Sequence, residues 1–199
     1  ALDLPAAGVA LGPRGFVQVD AAQRTSAPHI YAAGDVVGAR MLAPQALQAG
    51  FVAATNAVTS AAEVAEHLVN PVGSFTDPEY AQVGLGEGEA RAVHDVHVVV
   101  TGFDTLTRAI IDGRETGLCK IVVDRADHRL LGCHLVGERA VEVAQIAAVA
   151  IAAGMRIDDL ARLPISYPTY AGVLGRAAAM AARALNPDLA PPPFAADLR

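Results

Sequence analysis

Two apolar runs, Leu118–Asp124 and Leu130–Val136, stand on either side of a short charged loop, Arg125–Arg129. Short runs rich in Val, Ile and Leu and joined by a polar loop read as the two strands of a hairpin. Directly after them comes Glu138–Ala153, which reads as a long helix. Its polar residues Glu138, Arg139, Glu142 and Gln145 fall toward one face. The rest is Val, Ile and Ala, so the helix is mostly buried. Gly154 is placed to end it. A hairpin followed by a helix that must itself be covered requires a layered fold, sheet against helix.

The surrounding residues extend that pattern. Gln82–Leu85 and His97–Phe103 read as strands, and Glu87–Val93, Asp158–Leu163 and Thr169–Leu185 as helices. Further upstream, Arg14–Asp20 reads as a turn and a short strand. Ile30–Ala33 reads as a second strand ending at Gly34-Asp35. Pro44 to about Leu68 reads as a helix, with the proline tolerated in its first turn. Asn70-Pro71-Val72-Gly73 breaks the pattern. These signals predict one domain over residues 1–69, a second over 70–186 and a loose tail over 187–199, which carries Pro191-Pro192-Pro193. The fold class is α/β, with the second domain α+β.

Composition removes several classes of function. Over 199 residues the formal net charge is −6, and a nucleic-acid surface shows a basic excess instead. At 53% hydrophobic the chain is too apolar to be disordered. The longest uncharged stretch, Met41–Ala62, is interrupted by Pro44, Gln45, Gln48, Gly50, Asn56 and Ser60, so a buried helix is expected and a membrane span is not. No basic region followed by an apolar core opens the chain, which argues against a signal peptide. With only two cysteines there is no disulfide framework, and a reducing cytoplasm is the expected setting. The first residue is Ala1, and Leu2–Val9 reads like the middle of a fold. The expectation is a piece of a longer protein.

Few residues carry obvious chemistry. Gly34-Asp35 ends a short strand just before a helix, where α/β folds bind ligands. The glycine allows a close backbone approach, and the carboxylate can accept a hydrogen bond from a sugar hydroxyl. On the residues alone, a turn with a helix cap explains the same pattern. Cys119 and Cys133 fall on the two arms of the hairpin. They are read as buried free thiols, with a cross-strand disulfide as the alternative. His94-x-x-His97, His128 and His134 lack the further ligands of a metal site and are read as surface or loop histidines.

Taken together, the motifs are more specific. Arg24-Thr25-Ser26 through Val36, then Met41-Leu42-Ala43 and a helix, resembles the second flavin-binding motif of the pyridine nucleotide-disulfide oxidoreductases. Phe75–Leu85, Gly117–Asp124 and Leu131–Gly137 resemble that family's dimerisation domain, in the right order. The resemblance implies the end of a Rossmann-type FAD-binding domain followed by a dimerisation domain with an antiparallel sheet and flanking helices. It implies that Gly34 lies beside the pyrophosphate and Asp35 on the ribityl chain of FAD. Met41, Leu42 and Ala43 would then meet the flavin with backbone amides at a helix start, where the helix dipole favours negative charge. It also implies NAD(P)H as the electron donor and a homodimer.

The same comparison shows departures. The family's glycine-rich FAD loop, redox Cys-x-x-x-x-Cys and NAD(P)H-binding fold are absent from these residues. Where the disulfide reductases carry His-Pro and, five residues after the histidine, a glutamate, this chain has Tyr167-Pro168 and Gly172. Phenols hold their protons at neutral pH, so ordinary thiol–disulfide exchange is put in doubt. Mercuric reductases also carry tyrosine there, but usually end in a vicinal cysteine pair that this sequence lacks. Tyr167 is thus the candidate catalytic residue, with a structural role as the alternative. The expected function is part of an FAD-dependent NAD(P)H oxidoreductase passing electrons to a disulfide, a metal ion or another acceptor. The alternative is a non-catalytic dimerisation module that binds no flavin when isolated.

Overall fold

The computed structural model describes residues 2–59, 61–65 and 69–188. The chain divides into two compact units, Ala1–His67 and Leu68–Arg199.

In the first unit a small core of Val9, Val17 and Ala27 is surrounded by Leu4, Val19, Ile30 and Ala32. The two strands expected here do not form. Arg14–Asp20 contributes one bridge, Leu11 to Val17, and Ile30–Ala33 one bridge, Arg24 to Tyr31. A strand is stable only when a neighbour pairs along its length, and each run finds a single partner residue. Gly34–Val37 then makes one tight turn of 3₁₀ helix. Helix α1 runs Ala43–Val58, with Pro44 in its first turn. It stops well short of the expected Leu68, whose neighbourhood lies partly outside the described residues. Asn56 explains the stop. Its side-chain amide donates to the Glu63 carbonyl (2.9 Å) and accepts from the Glu63 N–H (3.0 Å), and it also donates to the Ala22 carbonyl (3.0 Å). Glu63 is thereby tied back to the last turn of the helix.

The second unit is a five-stranded, wholly antiparallel sheet in the order β1-β2-β5-β4-β3. The strands are β1 Val72–Ser74, β2 Glu79–Gly84, β3 Val96–Gly102, β4 Leu118–Asp124 and β5 Leu130–Gly137. Between them lie α2 Glu87–Val93 and α3 Thr107–Asp112, and after them α4 Ala140–Ala152, α5 Ile157–Leu160 and α6 Gly172–Leu185. Alternation decides which face is covered. Ala81, Val83, Val99, Cys119, Ile121, Val123, Cys133 and Leu135 point into one core. Helix α4 covers β2 and β5 there, while α6 covers β3 and β4. Both helices are rich in alanine, which lets their axes lie close to the sheet. On the opposite face Val122, Val96 and Ala90 form a smaller cluster under α2.

The hairpin and α2 match the sequence reading, and the other expected elements differ at their ends. Helix α4 starts at Ala140, where the Glu79 carboxylate accepts the Val141 N–H at 3.1 Å and caps it from across the sheet. Helix α5 closes at Leu160, not Leu163, and α6 begins at Gly172, not Thr169. Strand β1 occupies Val72–Ser74, inside the expected break, and α3 was not anticipated. Most of the proline-rich tail lies outside the described residues. Among the described residues no helix is long and apolar enough to cross a membrane.

Candidate functional site

In the first unit a cavity of about 710 Å³ is lined by Gly34, Asp35, Met41 and Leu42, with Gln45, Ala46 and Ala49 of α1 on one wall. Gly34 has φ +81° and only Ala46 Cβ near the place where a side chain would start (3.7 Å), so bare backbone is presented to the cavity. Asp35 follows it, exposed. Met41, also exposed, is held in the left-handed region at φ +53°, a strain that clusters at ligand sites. Leu42 caps α1 without a side-chain hydrogen bond, and no acidic residue lies in the first turn. The amides of that turn have no intrahelical acceptor, so the positive end of the helix dipole is uncompensated. Ala43 opens the helix but does not line the cavity.

Tyr167 belongs to the second unit. It is 81% exposed, and its hydroxyl donates to Thr107 Oγ1 at 2.9 Å. It lines a separate groove of about 380 Å³, together with Thr107, Arg108, Ser166, Gly172 and Arg176. Three residues on, the buried Tyr170 donates to Asp112 Oδ2 at 2.8 Å, and Arg108 Nε reaches the same oxygen at 2.8 Å. These two donors, Tyr170 first, hold the Asp112 carboxyl below its ordinary range. Arg108 is thereby fixed one helical turn before Asp112. Sequence reasoning missed this group; the i,i+4 spacing of Arg108 and Asp112 was its available signal.

Burial, and then the hydrogen bond to Asp112, push the Tyr170 hydroxyl up to about 12. A folded value above the unfolded one, about 10, means that the neutral phenol is the form the fold favours. The stabilisation is complete below about pH 10 and is lost as pH rises through about 12. Tyr170→Phe is expected to cost about 1 kcal/mol at neutral pH. It should also remove part of the alkaline loss of stability. Urea midpoints of the two chains at about pH 9 and about pH 11.5 check this. Equal alkaline losses would place the sensitivity elsewhere.

Three of the histidines have separate partners. His94 Nδ1 lies 2.6 Å from Asp124 Oδ2, and His128 Nδ1 2.7 Å from Asp158 Oδ2. His134 Nε2 lies 3.1 Å from the Leu85 carbonyl. Among the described residues no three His, Cys, Asp or Glu side chains come together as a metal site. Cys119 and Cys133 are fully buried free thiols with their sulfurs 3.9 Å apart. The hydrogen bond between them, with burial, pushes the Cys119 thiol up.

The second unit is thus an antiparallel sheet with α4 and α6 on one face and α2 on the other, and the first carries a glycine–aspartate turn before a helix. Residues 70–178 match the dimerisation domain of the pyridine nucleotide-disulphide oxidoreductases, and residues 2–50 match the pyridine nucleotide-disulphide oxidoreductase family itself. The chain belongs to this family. It is 38% identical over 187 residues to a dihydrolipoyl dehydrogenase of Thermus scotoductus, covering 93% of this chain and 40% of the relative. It is 34% identical over 171 residues to a mercuric reductase of Bacillus cereus, covering 85% of this chain and 27% of the relative. Among solved structures, LpdA from Mycobacterium tuberculosis superimposes with a TM-score of 0.83 at 29% identity, over 89% of this chain and 39% of that one. The chain thus spans at most about two fifths of the length of these relatives.

Proposed function

We propose that the chain is part of an FAD-dependent NAD(P)H oxidoreductase. Residues 1–69 would complete its FAD-binding domain and residues 70–186 its dimerisation domain. The observation that carries this reading is the cavity where bare backbone at Gly34, the Asp35 carboxylate and the uncompensated start of α1 meet. These groups suit FAD. The Asp35 carboxylate would accept from a ribityl hydroxyl, Gly34 would lie against the pyrophosphate, and the amides around Leu42 and Ala43 would face the flavin edge. Pro44 has no N–H, so those donors lie on either side of it. Bound FAD supplies the two-electron relay between nicotinamide and an acceptor, whether disulfide, metal ion or another. At the acceptor end, Tyr167 gives its proton to Thr107 in a hydrogen bond, a poor arrangement for a base. The chain is expected to work in the cytoplasm, as a homodimer. Ile110 and Ile111 on α3 and Ile146 and Val149 on α4 leave apolar surface open that a second copy would cover.

The test is a visible absorption spectrum of the purified chain, as isolated and after FAD addition and desalting. Retained flavin supports the reading. Its absence favours the alternative, a dimerisation module that binds no flavin alone; the separate core of the second unit suits that role. In the full-length protein, Asp35→Ala is expected to weaken FAD by about tenfold or more, the worth of one charge-assisted hydrogen bond. A flavin fluorescence titration measures it, and unchanged affinity would refute the ribityl role. Sedimentation of the chain should give a dimer; a monomer at high concentration would count against the interface.

A further inference from the structure

The two ends of the sheet are unlike. At one end β1 has 3 residues, next to Pro71, and so short a strand offers a neighbour little to pair with. At the other end β3 has 7, Val96–Gly102, with no proline, lysine or bulge to blunt it. The register shift in the sheet lies between β4 and β5 instead.

The pairing of β3 with β4 decides which of its backbone groups face outward. The Phe103 N–H donates to the Gly117 carbonyl at 3.1 Å, and the Arg125 N–H to the Asp95 carbonyl at 2.9 Å. Both pairs continue the β3–β4 register, so the ladder uses the odd-numbered residues of β3. The N–H and C=O of Val96, Val98, Val100 and Gly102 therefore point away from β4. The carbonyls at the two ends are taken. Arg125 Nε donates to that of Val96 at 3.3 Å, and Thr105 Oγ1 to that of Gly102 at 2.9 Å. Among the described residues Val98 and Val100 have no such partner, so water satisfies their outward groups. Val100 is 51% exposed. The open edge is thus a slot at Val98–Val100, closed at both ends.

The symmetry of the slot selects its occupant. Turned about a two-fold axis at Val99, a second copy of β3 brings its Val100 opposite Val98 and its Val98 opposite Val100. Each of these pairs exchanges both backbone bonds, so every open group in the slot is used and the capped carbonyls are left alone. The same rotation sets valine against valine on both faces of the strand. His97 falls opposite Thr101 of the second copy, so no like charges meet within the strand.

We propose that the β3 edge is a self-pairing site, at which a second copy of this chain adds its own β3 antiparallel through Val98 and Val100. The contact is separate from the apolar surface of Ile146 and Val149. Those residues lie on α4, which covers β2 and β5, and β4 stands between β5 and β3. The site rests neither on the flavin reading nor on the homodimer reading. Where both contacts form, dimers are joined into larger assemblies.

Amide hydrogen exchange of the isotope-labelled chain, followed by NMR, tests the site. The Val98 and Val100 amides should exchange about fourfold more slowly at about 1 mM chain than at about 10 µM, as a dissociation constant on the order of 0.1 mM requires. The Val99 and Thr101 amides, already in the ladder, should be slow at both. In a mixture of two differently labelled chains, the methyl groups of Val98 and Val100 should show a contact between copies. A synthetic peptide copying residues 96–102 should protect the same two amides of the dilute chain. A peptide with serine in place of its central valines should do so at least about tenfold more weakly. Val100→Pro removes an outward N–H and no ladder bond, so it should abolish the concentration effect while any dimer formed through α4 stays in place. Equal exchange of Val98 and Val100 at both concentrations would overturn the proposal, as would a concentration effect confined to α3 and α4. Equal protection by the two peptides would also overturn it, since the edge would then take any extended chain. The concentration and peptide comparisons use the unaltered chain, so they stand even where the proline variant fails to fold.

Discussion

Gly84→Ala is expected to destabilise the second unit by about 4 kcal/mol or more, a large share of a typical domain's stability. Gly84 ends β2 with φ +75°, and a Cβ there would stand 2.2 Å from the Leu131 carbonyl oxygen and 3.0 Å from Gly132 Cα. Both atoms are backbone of the neighbouring strand β5 and cannot rotate away. That carbonyl also accepts the Leu85 N–H at 2.9 Å, so relief of the clash would break a ladder contact. The left-handed conformation adds about 1 kcal/mol for any residue with a side chain. Gly88, inside α2, has open space where its side chain would be. Gly88→Ala is therefore expected to stabilise by about 0.5–1 kcal/mol and serves as the control. Urea unfolding followed by circular dichroism gives both numbers. A Gly84→Ala midpoint within error of the parent would contradict the β2–β5 pairing.

Phe103→Ala is expected to cost about 3–5 kcal/mol. Phe103 is fully buried just beyond β3. Its ring fills the space that the missing side chain of Gly137 leaves, where a Cβ would lie 2.6 Å from the ring. A neighbour that is already glycine has little with which to refill the hole, so the cavity persists. The ring also lies 6.2 Å from that of Tyr170, centroid to centroid. Its loss should therefore loosen the Tyr170–Asp112–Arg108 contact and lower the alkaline midpoint of Tyr170. The chain contains no tryptophan, so ultraviolet difference titration follows its tyrosines directly. A loss of stability without any change in that titration would mean that α3 is held independently of the core.

The sequence was most legible where one physical rule acted alone. The hairpin from Leu118 to Gly137 has apolar strands, joined by a polar loop short enough to bring them together, and its residues specify it. Strand β1 was hidden because an edge strand needs only one neighbour and tolerates Pro and Gly beside it, so Asn70-Pro71-Val72-Gly73 read as a break. Helix α1 was read too long because alanine propensity continues past Val58. The stop comes from Asn56 reaching Glu63, a contact no propensity contains. The strands read around Val17 and Tyr31 failed for the opposite reason: the local pattern is present and the neighbouring strand is not. For the candidate site, Gly34, Asp35, Met41, Leu42 and Tyr167 came from motif order. Arg108, Asp112 and Thr107 did not, because their importance lies in what α3 brings beside Tyr167 and Tyr170.

Cys119 and Cys133 sit at the centre of the sheet with no surface open to solvent. A thiol reagent added to the native chain meets neither sulfur until the helix layer of α4 and α6 lifts off β4 and β5. Fraying at α1 or in the loops leaves both untouched. The two lie on adjacent strands, so a single opening delivers both at once. The rate at which they are labelled, divided by the rate for an unfolded peptide thiol, is then the fraction of time the middle of the fold stands open. The chain thus carries its own timekeeper, readable in plain buffer without denaturant.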